Sequence, residues 1–140
     1  MGTVIKSELS KSSKYFVEKH RYYELKHFCL QYPTWRKIYS ELDGMKSSKH
    51  DTTPSKNALP VDTTAQAAEL RLHYLEKMET VEQSARESDP DLAIYILKAV
   101  TEELSYDYLK SKLEIPCSRG TYYDRYRRFF WLLSKRKNYI

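Results

Sequence analysis

The side chains best suited to chemistry lie in the last stretch of the sequence. They are Ser118, Arg119, Thr121, Asp124, Arg125, Arg128 and Lys135. Guanidinium and ammonium groups bind phosphate oxygens, hydroxyls donate to the same oxygens, and a side chain held at fixed register reads a base edge. This set points to a polyanion, with double-stranded DNA as the expected partner, and not to a bond-breaking reaction. Charge distribution supports it. The chain has a net charge of +5, but residues 118 to 140 carry seven Lys/Arg against one Asp/Glu, while residues 51 to 117 carry seven against thirteen. An acidic middle and a concentrated basic end imply one face built for negative charge.

Other chemistries find little material. His20, His27 and Cys29 share the first helical segment, but spacing indicates no further ligand, so no metal site is expected. Cys29 and Cys117 belong to no Cys-x-x-Cys pair, which argues against a disulfide framework. No phosphate-cradling glycine loop, nucleophile elbow or paired acidic motif occurs. The expectation is a protein that is not an enzyme and uses no cofactor. The N-terminus lacks the apolar run of a signal peptide, and no stretch reaches the length of a membrane span. The reading is therefore a cytoplasmic protein without a membrane partner.

The elements that must hold the basic end are helices. Three glycines in 140 residues disfavour a many-turned β architecture, and thirteen tyrosines can pack their rings while leaving hydroxyls at an edge. Helical spacing of Tyr15, Tyr22, Leu25, Cys29 and Tyr32 predicts a helix from Lys14 to Tyr32, broken or bent at Pro33. Trp35, Ile38, Tyr39 and Leu42 form a second short stripe ending at Asp43-Gly44, giving an N-terminal unit over 1–42. Residues 43–63 have linker composition. A helical domain over 64–140 follows, opening with a helix to about Glu87 whose stripe is Ala68, Leu72, Leu75, Met78 and Ala85. This acidic helix is read as scaffold or as a surface for homo-oligomerisation.

Asp89 caps the next helix, on which Leu92, Tyr95, Ile96, Ala99 and Val100 fall at core spacing. Ser105 caps a short helix with Tyr108 and Leu109 inward, Ile115 plugs a turn that lacks the usual glycine, and Ser118 caps the last helix. At about 100° per residue, Tyr122, Tyr123, Tyr126, Phe129, Phe130 and Leu133 share one face of it. Thr121, Asp124, Arg128 and Lys135 fall opposite, with Arg125, Arg127 and Trp131 at the flank; Asp124 is expected to tether Arg128 at i+4. The expected fold is an all-α small helical bundle with a C-terminal helix-turn-helix over about 105–137.

The segment SYDYLKSKLEIPCSRGTYYDRYRRFFWLLSKRK resembles the C-terminal end of phage transcriptional regulators of the ArpU/RinA type, over roughly residues 91 to 137. The resemblance implies a sigma-region-four-like helix-turn-helix, in a bacterial host, acting as a sequence-specific regulator of late genes. It also implies Arg119, Thr121, Tyr122, Arg125 and Arg128 at the DNA-reading surface. Two other readings join helices to a basic end. A phage small terminase subunit would assemble into rings, and an interaction adaptor would dock on an acidic surface such as RNA polymerase.

Overall fold

The computed structural model describes residues 14–47 and 61–138. Six α-helices and no strand occur among the described residues, so the chain is an all-α small bundle. They are α1 (Lys19–Leu30), α2 (Tyr32–Ser47), α3 (Val61–Ser88), α4 (Ala93–Glu102), α5 (Tyr106–Leu113) and α6 (Arg119–Asn138). They fall into two compact units. One comprises Met1–Gln31 with Thr80–Ile140, the other Tyr32–Glu79. Compactness thus divides the chain at Gln31 and Glu79, whereas composition suggested 42 and 64.

The first unit holds most of the core. In it α1 packs against α4 and α6, and α4 against α5. Tyr22, Leu25 and Cys29 of α1, Val81 and Ala85 of α3, and Ile96 and Ala99 of α4 are buried. Leu109, Ile115, Tyr122, Phe129, Phe130 and Leu133 are buried with them from the C-terminal end. Burial raises the Cys29 thiol above its ordinary value, which leaves it a small packed hydrophobe. The buried hydroxyls of Ser84, Ser88 and Thr101 are hydrogen-bonded to backbone carbonyls. Ser84 donates to the Thr80 carbonyl at 2.8 Å and Thr101 to the Leu97 carbonyl at 2.7 Å, while Ser88 crosses to the Arg125 carbonyl of α6 at 2.6 Å.

Several boundaries differ from those the pattern suggests, each for a local reason. The first helix starts at Lys19, not Lys14, because the Glu18 carboxylate takes the cap and accepts from the His20 and Arg21 amides at 3.1 Å. It ends at Leu30. Pro33 lies in the first turn of α2, where a missing N–H costs no helical bond, so it starts a helix instead of breaking one. Asp43-Gly44 does not end α2, which runs on to Ser47.

The second unit holds α2 and the first part of α3. Arg71 links them, pairing with Asp43 at 3.3 Å and lying 5.3 Å from the Tyr39 ring centroid. Lys77 lies 5.5 Å from the Trp35 ring centroid. Of the expected α3 stripe, Met78 and Ala85 are buried and Leu75 is half-buried, but Ala68 is exposed and Leu72 is 55% exposed. Two helical segments in this unit cannot enclose a third layer, so the N-terminal part of that stripe stays open.

Candidate nucleic-acid interface

Three connections position α6. Asp89 Oδ1 accepts from the amides of Asp91 and Leu92 at 2.9 and 3.2 Å and starts the turn leading into α4. Ser105 caps α5, accepting from the Tyr108 amide at 3.2 Å, and Ser118 caps α6, accepting from the Thr121 amide at 3.2 Å. Between α5 and α6 lie only Glu114 to Ser118. Glu114 adopts the left-handed conformation (φ 54°) in which glycine is usual, and the amide of buried Ile115 bonds back to the Leu109 carbonyl at 3.0 Å. Ile115 therefore plugs the turn as its apolarity suggests. Tyr106, not Tyr108, faces inward here, because its hydroxyl donates to the Cys117 carbonyl at 2.6 Å while Tyr108 stays exposed.

On α6 itself Tyr122, Phe129, Phe130, Leu132 and Leu133 are buried and seat the helix in the first unit. Tyr122 is only 1% exposed, so it is a core residue and cannot meet a partner, contrary to its place among the expected contacts. Its ring packs with Tyr106, Tyr123 and Tyr126 at centroid distances of 5.6, 5.1 and 5.8 Å. Ser118, Thr121 and Lys135 are exposed, as expected, and Arg128 is half-exposed. Gly120 sits within the first turn, and a Cβ there would meet nothing within 4 Å.

The arginines divide into two groups. Arg125 is half-buried, and its Nε donates to Asp89 at 3.0 Å while Nη1 pairs with Asp124. The Asp89 bond, opposed by desolvation and reinforced by Asp124, raises the guanidinium above its ordinary value. Asp124 therefore binds Arg125, and the expected tether to Arg128 does not form; the guanidinium drawn to Asp89 already lies beside it. Arg119 pairs with Asp107 and lies 5.0 Å from the Tyr106 ring centroid, and the Asp107 bond likewise raises it. Arg136 pairs with Glu87 at 2.7 Å. Arg127 and Arg128 form no ion pair among the described residues.

Sequence reasoning left Arg127 at the flank and gave it no role, although its helical position, 100° before Arg128, was there to be read. Trp131 is a further surface residue it did not assign. Lys135 lies 3.8 Å from the Trp131 ring centroid and Tyr15 lies 5.4 Å from it, so an aromatic pair with lysines Lys14 and Lys135 beside it borders the cationic stripe. No group of three or more His, Cys, Asp or Glu is placed to hold a metal among the described residues, and no helix there is long and apolar enough to cross a membrane.

Fold and surface define an all-α bundle whose terminal helix is anchored on one face by aromatic rings and carries cations on the other. No family model matches the chain, and no characterised protein or solved structure does.

Proposed function

We propose that the chain binds double-stranded DNA through the outer face of α6 and acts as a transcriptional regulator of the phage type suggested by the resemblance of its C-terminal end. The observation that carries the DNA reading is the separation of roles on α6. Five buried residues hold the helix, while Arg127 and Arg128 keep guanidinium groups that no carboxylate of the described residues neutralises. A phosphate gains most from such a group, because no internal ion pair has to be broken first. Ser118, Thr121 and Lys135 flank the two arginines with a hydroxyl pair and an ammonium. Arg119 and Arg125 already hold carboxylates, and in this reading they brace the turn and the helix.

A salt series on a labelled duplex tests this. Each phosphate contact contributes about 0.9 to the slope of log affinity against log salt, so Arg127→Ala with Arg128→Ala should flatten the slope by roughly two units. An unchanged slope in a folded double variant would reject the surface. Retention of one sequence against excess competitor duplex is expected of a regulator, and uniform binding to all duplexes would reject that part of the proposal.

A further inference from the structure

The face of α6 opposite the arginines borders a cavity of about 660 Å³ inside the first unit. Its walls come from α1, α4, α5 and α6, and from the Glu103–Ser105 connection. Aromatic rings dominate. Tyr22, Tyr126 and Phe130 meet edge to face or tilted, with Tyr126 and Tyr22 each 5.0 Å from Phe130, and Tyr123 continues the wall 6.1 Å from Tyr126. Val100 and Leu104 supply the aliphatic side. A concave, mainly apolar site with a few converging polar groups is the usual form of a small-molecule pocket.

We infer that this cavity is a binding site for a small, uncharged, planar aromatic molecule carrying a hydroxyl or N–H group. The half-buried rings of Tyr123 and Tyr126 offer edge-to-face and offset partners along this wall, which aromatic ligands satisfy better than aliphatic ones. The hydroxyls of Tyr22 and Tyr126, 2.9 Å apart, put a hydrogen-bonding spot into that wall. The charged side chains lining the cavity, Lys26 and Glu103, are paired with each other at 3.3 Å, so neither offers an unpaired charge to a ligand carboxylate, and a neutral ring needs none. Glu103 closes α4 in the left-handed conformation (φ 60°) and so fixes the connection that carries Leu104 and Ser105 along the cavity wall.

The inference is independent of DNA binding and is read without DNA. Indole and 2-naphthol serve as probes, with benzoate as the charged counterpart, in ligand-observed NMR on the full chain. Both neutral probes should bind, with Overhauser contacts to the rings of Tyr123 and Tyr126, and benzoate should bind at least about tenfold more weakly. Leu104→Trp, which fills the cavity from a half-buried loop position, should weaken the neutral probes by about tenfold or more while the thermal midpoint is kept. Should that variant unfold, the Overhauser contacts in the unaltered protein decide. Failure of both neutral probes to bind, contacts only to residues outside the cavity, equal binding of benzoate, or full binding by a folded Leu104→Trp would each overturn the inference.

Discussion

At the scale of single residues, the structure turns on which charged groups are already satisfied. Glu18 shows how one carboxylate acts as a cap. Hydrogen bonds from the His20 amide, then the Arg21 amide, hold its carboxyl below the usual value of 4.5. A folded-state value below the unfolded one means that the ionised group contributes stability above the ordinary carboxylate range, and the contribution is lost as pH falls through the folded value. Glu18→Gln should therefore lose stability at neutral pH and show a shallower decline as pH falls from the ordinary carboxylate range through the lowered folded value, measured as the urea midpoint. A decline as steep as that of the unaltered protein would remove Glu18 as the titrating cap. Phe130 is the corresponding apolar case. It is fully buried among Tyr22, Tyr126 and Phe129, so Phe130→Ala should cost about 3–5 kcal/mol in chemical denaturation, and a change near zero would mean that its ring is not packed as described.

At the scale of elements, capping explains most of the boundaries. Ser105 and Ser118 were legible as caps because a hydroxyl before a helical stripe has a short-range partner three residues on. The α5–α6 turn was half legible. Ile115 announced itself as the apolar residue of a short turn between two capped helices, but nothing in Glu114 foretells a positive φ, since the left-handed conformation is imposed by the bond its neighbour makes to Leu109. A non-glycine residue in that region carries strain, so Glu114→Gly should raise stability by roughly 0.5–1 kcal/mol. A loss on thermal or chemical denaturation would show instead that the Glu114 side chain contributes more than its backbone costs. The second unit was less legible. Leu72 has the spacing of a core residue, yet spacing reports only that a face could be buried, and burial needs a neighbour that the two helical segments of that unit do not provide.

At the scale of the whole molecule, the first unit is discontinuous in sequence, and this has a measurable consequence. Residues of α1 pack with α4 and α6 across about a hundred positions: Arg21 alone bonds to the Ser134 hydroxyl, the Ser134 carbonyl and Asn138 at 3.0, 2.9 and 2.8 Å. The core amides of α1 and α6 should therefore open together in hydrogen exchange. Leu25→Ala, at a fully buried site of α1, should cost about 2–5 kcal/mol and lower protection in α6 as much as in α1. Loss confined to α1 would mean that the two helices open separately.

The sequence by itself determined the helical class, the caps Ser105 and Ser118, the buried aromatic face of α6 and the cation-rich character of its other side. These follow from interactions within four residues or from helical periodicity, and a linear string carries both. Only the tertiary structure decided that Tyr122 is wholly enclosed, that Asp89 pairs with Arg125, that Glu87 holds Arg136 and that a cavity opens behind α6. Each of these depends on which distant residue is brought alongside: Asp89 lies 36 positions from Arg125 and Glu87 lies 49 from Arg136. Over such separations sequence proximity says nothing, and chain folding alone sets which opposite charges meet.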